Sequence, residues 1–249
     1  MNSNIKLLTT ALTFGTILTV LSPVIISDSH AYTTGCVEYK PLQRGPSRED
    51  MSLEVRGICK RVAIANNPEF SISVIAPERL GKTFTSQLPS LYWWVSHPVN
   101  ASFRFTWIRF TDDGKPIDNT LKETMLKLSV KAGIQKFPLD KLIGKKVLTE
   151  AQYNWSVRLL CKPPNTVGED RFISGMIMYE KPTNRILSRL EKTNNRALPC
   201  VCIENGFWYD AFDKVQQLLQ DKYDKEFREL RLELLEKEGL HKVLIFHSK

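Results

Sequence analysis

The residues of this chain with most chemistry to offer are five cysteines, four histidines and the acid pairs Asp112-Asp113 and Glu169-Asp170. Cys200-Val201-Cys202 spaces two thiols for redox or metal chemistry, but a metal would need further ligands. The only nearby histidines are His241 and His247, so structural disulfides are the expectation and no metal is assigned. The acid pairs have the residue types of glycoside chemistry, but both fall in turn-like stretches where acids are common for conformational reasons. Asp112 or Asp113 alone lacks the oxygen ligands a calcium loop supplies. His97, in Ser96-His97-Pro98, lies in a loop where a nucleophile would have to come from elsewhere in the fold. No Gly-x-Ser-x-Gly, His-Glu-x-x-His or phosphate loop occurs, so no catalytic residue and no cofactor is assigned, and an enzyme is not the favoured class. The best binding signal is Tyr92-Trp93-Trp94. In a strand, Trp93 shares a face with Leu91 and Val95, while Tyr92 and Trp94 take the other. Those two rings either stack on a sugar or partner, or are roofed by another element of the chain.

Alternating residues set the elements that carry these positions. Ser71–Ala76 and Pro89–Val95 read as short strands. In Ala101–Phe110, Phe103, Phe105 and Trp107 point one way and Ser102, Arg104 and Thr106 the other. Asp112-Asp113-Gly114-Lys115 follows as a hairpin turn. Leu121–Val130, Gly133–Leu139, Gln152–Cys161 and Phe172–Glu180 complete about seven strands, a count that predicts an antiparallel β-sandwich. Leu148 followed by Tyr153-Asn154-Trp155 looks like the tyrosine corner of immunoglobulin-like and fibronectin-like sandwiches, and Trp93 like their core tryptophan.

After Pro182 the period becomes helical. Arg185–Lys192 reads as a short helix. Gly206–Gln220 places Phe207, Ala211, Val215 and Leu218 on one stripe. Asp221–Glu238 does the same with Tyr223, Phe227, Leu230 and Leu234, and Gly239 is the stop signal. The pair predicts a C-terminal αα-hairpin. Asn205–Gly239 has the length of one tetratricopeptide repeat, but no second copy is visible, so its apolar stripes need the sandwich or a partner to cover them. Val243–Phe246 needs covering as well.

The chain opens with Lys6, a largely apolar run Leu7–Ile26 and a small-x-small exit at Ser29-His30-Ala31, which is the pattern of a signal peptide cleaved after Ala31. An uncleaved membrane anchor, and a lipobox at Thr33-Thr34-Gly35-Cys36, are the alternatives. The expected organisation is leader 1–31, extended segment 32–66, β-sandwich 67–182 and helical segment 183–249, in a periplasmic or extracellular protein. Export permits disulfides among Cys36, Cys59, Cys161, Cys200 and Cys202. Nearness in sequence favours Cys36–Cys59, leaving Cys161 for Cys200 or Cys202. The net charge of +8 favours anionic glycans, headgroups or acidic proteins as partners over nucleic acid, although the basic residues are scattered.

Five blocks in order, Pro77–Thr83, Pro89–Trp94, Leu148–Cys161, Ser174–Ile177 and Gly206–Ala211, resemble a cyanobacterial exported family catalogued as domain of unknown function 928. Gly175-Met176 stands where that family has Gly-Trp. The resemblance implies an envelope location and a sandwich followed by helices, and no activity. The expected function is therefore a non-catalytic protein-interaction module of the cell envelope that binds an envelope protein or anionic glycan and meets a membrane only through an uncleaved leader. A glycan or peptidoglycan binder using Tyr92 and Trp94 is the alternative. A thiol-redox protein or a loop-assembled hydrolase comes third.

Overall fold

The chain divides into two units, Met1–Ala31 and Tyr32–Lys249. A computed structural model describes residues 36–42, 70–160, 172–221 and 224–247, all in the second unit. The leader, Cys59, Cys161 and Glu169-Asp170 lie outside the described residues. Among the described residues there are eight strands: β1 (Ile72–Ile75), β2 (Leu80–Thr83), β3 (Tyr92–Val95), β4 (Val99–Phe110), β5 (Lys122–Val130), β6 (Gly133–Lys136), β7 (Ala151–Leu160) and β8 (Phe172–Tyr179). The helices are α1 (Leu139–Ile143), between β6 and β7, then α2 (Asn184–Lys192), α3 (Leu198–Glu204), α4 (Trp208–Asp221), α5 (Lys225–Lys237) and α6 (His241–His247). None of the described helices is long and apolar enough to cross a membrane.

The strands form two sheets, ordered β1-β3-β6 and β2-β8-β7-β4-β5. Alternation explains β4 and β7. Phe103, Phe105 and Trp107 on β4 and Tyr153, Trp155, Val157 and Leu159 on β7 are buried, while Ser102, Arg104, Asn154 and Arg158 on the other face are half-buried. The two sheets meet through a relay of rings. Trp93 lies 5.9 Å from Phe105, Phe105 lies 5.4 Å from Phe137, and Phe137 lies 5.0 Å from Trp155, all edge-to-face. Trp93 and Trp155 thus share one interior. The Asp-Gly turn forms with Gly114 at φ +79° and the Thr111 amide donating to the Lys115 carbonyl at 2.9 Å. A single 3-10 turn, Asp118–Thr120, then leads into β5.

The expected all-antiparallel sheet requires one correction, because β2 runs parallel to β8, from Leu80 opposite Met176 to Thr83 opposite Tyr179. Strand β2 leaves the end of β1 across Pro77 and crosses to the other sheet, which reverses its sense relative to its new neighbour. Just before β7, the Tyr153 hydroxyl donates to the Thr149 carbonyl at 3.0 Å and accepts from the Thr149 amide at 3.1 Å. The helices start and stop on the signals the sequence carries. The Thr183 side chain accepts from the Ile186 amide, the Asp224 carboxylate accepts from the Glu226 amide, and Gly239 sits at φ +69°.

Candidate interaction site

Helix α4 enters the protein with six consecutive buried residues, Phe207–Phe212. No amphipathic stripe produces that; the helix packs against α3, α5 and β2. Tyr209 reaches the five-stranded sheet, where its hydroxyl accepts from Trp155 Nε1 at 3.2 Å and donates to the Met176 carbonyl at 3.0 Å. Gly81 makes room for its ring, and Gly175 for the packing of Ala76 on Trp155. A Cβ on Gly81 would stand 2.6 Å from the Tyr209 ring, and one on Gly175 would stand 2.7 Å from the Ala76 Cβ. Beside Tyr209, buried Asp210 accepts from the Phe84 amide at 2.9 Å and from Thr85 Oγ1 at 2.5 Å. Desolvation lifts its pKa to about 6, against the pull of those donors.

The same helix roofs the aromatic strand. The Tyr92 hydroxyl donates to Asp213 Oδ1 at 2.6 Å, and its ring meets Phe212 edge-to-face at 5.5 Å. Burial, then the Asp213 carboxylate, pushes the Tyr92 phenol up. Tyr92 is only 8% exposed and Trp94 3%, so neither ring offers an open stacking face. Phe207 packs against Phe84 and Trp208 against Phe212. Trp94 instead lines a cleft of about 270 Å³ with Ser71–Ser73 and Gly239–Val243, and His241 and Lys242 form part of its wall.

The N-terminal lead-in is fastened to the helices, and its cysteine pairing differs from the sequence expectation. Cys36 is bonded to Cys200 on α3, 164 residues away, and not to Cys59. Nearness along the chain was the wrong guide, because the segment crosses to the C-terminal helices. Tyr39 donates to buried Glu238, whose other oxygen accepts from the Glu78 amide at 2.8 Å, and Lys237 pairs with Glu38. Cys202 is free and buried, with its thiol pushed up by desolvation and then by Asp210. Cys200 and Cys202 therefore do not form a dithiol pair.

The remaining candidates sit as follows. Ser96 Oγ is 2.8 Å from His97 Nδ1, but that hydroxyl also accepts from the Ser71 amide at 2.7 Å and so ties β1 to the end of β3. Asp113 accepts from Thr111 Oγ1 and pairs with Lys115 at 2.9 Å inside its own turn. Among the described residues no three His, Cys, Asp or Glu side chains gather as a metal site.

An open groove of about 720 Å³ lies over α2, α3 and the start of α5. Arg196 forks onto Asp224 at 2.7 Å and Glu226 at 2.9 Å, with its guanidinium 4.8 Å from the Phe227 ring centre. Arg189 pairs with Glu204 on the same surface. Sequence reasoning found neither this groove nor the docking roles of Tyr39, Asp210 and Glu238. The one available signal was an acid, Asp210, set among five apolar or aromatic residues between Phe207 and Phe212.

The chain belongs to the family described as a Domain of Unknown Function, DUF928, whose model matches residues 54–245. No curated protein matches it. The Gly206–Ala211 block leads into α4 and carries Tyr209 onto the sheet, where Gly81 receives its ring.

Proposed function

We propose that this chain is an exported cell-envelope protein that holds a partner and catalyses nothing. The observation that carries the reading is how its buried reactive groups are used. Asp210, Glu238 and Tyr209 each join the helical segment to the β body, Tyr39 joins the lead-in to Glu238, and Cys202 is buried. Such groups fix a shape. The open groove around Arg196 is the surface offered to a protein partner, with cations and carboxylates alternating along it. Export is supported by the leader pattern and by the Cys36–Cys200 bridge, since such bonds persist in oxidising compartments.

The β body is an immunoglobulin-like sandwich in this reading. The supports are the three-plus-five sheet order, the strand that changes sheet at one edge and the Tyr153 bond back to Thr149. Helices α4 and α5, packed on each other, form its helical hairpin cap.

A second reading, a glycan or peptidoglycan binder, draws on the Trp94 cleft with His241 and Lys242. Fractionation, N-terminal sequencing and binding to purified sacculi test both. The expected result is a chain that begins at Tyr32 in the periplasmic or extracellular fraction and is not retained by sacculi. Retention abolished by Trp94→Ala would favour the second reading. A full-length chain in the cytosol would overturn export.

A further inference from the structure

Strand β5 ends the five-stranded sheet, and among the described residues it pairs with β4 alone. It runs nine residues without proline and keeps unbroken register with β4 from Lys122 opposite Trp107 to Val130 opposite Val99. Other edges are less available: β2 is covered by α4, while β1 and β6 have four residues each. A long unprotected edge is a template for another strand. Helix α1 touches β5, yet Met125 in mid-strand is 57% exposed, the largest value among the exposed large hydrophobics described.

We infer that β5 pairs antiparallel with β5 of a second copy of this chain about a two-fold axis at Met125, joining two five-stranded sheets into one. The argument is charge and register. Glu123, Met125 and Lys127 lie opposite Thr106, Arg104 and Ser102 and share the outer face. In a continuous sheet, outer residues must meet outer residues, so only registers that keep this parity are allowed. Centring on Met125 sets Met125 against its copy and Glu123 against Lys127 twice, once on each side. Shifting the axis to Glu123 or Lys127 sets like charges against each other, and centring on Thr124 or Leu126 leaves both charges without an opposite partner. Lysines on an edge usually keep other strands away. Here the glutamate four residues before Lys127 makes the row complementary to itself. On the inner face, half-buried Leu126 would gain Thr124 of the copy as a neighbour. Two-fold symmetry closes the assembly at a dimer.

Sedimentation of the full chain over a micromolar concentration series tests this, with circular dichroism to verify that each variant is folded. The wild type is expected to dimerise. Glu123→Lys and Lys127→Glu are each expected to weaken the dimer about tenfold, and the double reversal to restore it. Met125→Cys is expected to cross-link to a dimer on oxidation. A monomer throughout the series, single reversals that associate like the wild type, or a double reversal that fails to restore would overturn the pairing. Absence of the Met125→Cys cross-link in a dimerising protein would overturn the register.

Discussion

Trp155 on β7 and Tyr209 on α4 are joined by a hydrogen bond of 3.2 Å from indole to phenol, and the phenol in turn donates a hydrogen bond to the Met176 carbonyl on β8. One side chain thereby ties the first turn of a helix to two neighbouring strands, in an interior where an unmade bond is costly. Gly81, which permits this approach, carries no functional group at all.

Tyr209→Phe removes both bonds and leaves the Trp155 indole and the Met176 carbonyl to find other partners. Its expected cost is about 1–3 kcal/mol in urea unfolding. Gly81→Ala is expected to cost about the same by overpacking, since the added methyl meets the Tyr209 ring and Pro77. Wild-type stability in both variants would mean that the helix does not seat here.

Asp210 makes stability depend on pH in the direction opposite to a salt-bridged acid. Its pKa is about 6 in the folded protein, against 3.8 for the free group, with desolvation the leading cause. Between those values the folded chain binds a proton that the unfolded chain has released. The group's contribution therefore falls as pH rises through the window and stays low above it, by on the order of 2–3 kcal/mol. Asp210→Asn is expected to lose that fall. Unfolding free energies of the two proteins from pH 4 to 7 test this, and parallel curves would refute it.

The Cys36–Cys200 bond closes a very long loop. Cys36→Ser is expected to cost about 2–4 kcal/mol and to loosen the Tyr39–Glu238 contact beside it. Native Cys202 is expected to resist alkylation until the protein unfolds, because burial holds its thiol protonated. Peptide mapping without reduction reads both, and a Cys36–Cys59 peptide would refute the pairing.

Local pattern made much of this fold readable. Alternation located β4 and β7 to within a residue or two, and Gly239 marked the end of α5, because each of those signals is satisfied by its own segment. Strand β2 was not legible: Leu80-Gly81-Lys82-Thr83 is short, carries a glycine and pairs parallel with a strand almost a hundred residues later. Helices α3 and α6 have seven residues each, too few to show a period. The site was hardest to read. Tyr92 and Trp94 stood out as aromatics, but their cover comes from α4 and from the Gly239–Val243 stretch, distant in sequence. The bridge from Cys36 to Cys200 depends on the same long-range packing.

Buried polar groups, Tyr209, Asp210 and Glu238, lock the helical segment to the β body. Native-state hydrogen exchange of the full chain tests this most directly, by comparing amides of Phe212 and Val215 on α4 with those of Trp155 and Val157 on β7. The expected result is one shared opening free energy for both sets, because a locked helix opens only when the sheet does. Exchange on α4 faster by about a hundredfold or more would mean that the helices detach by themselves, and would contradict the claim.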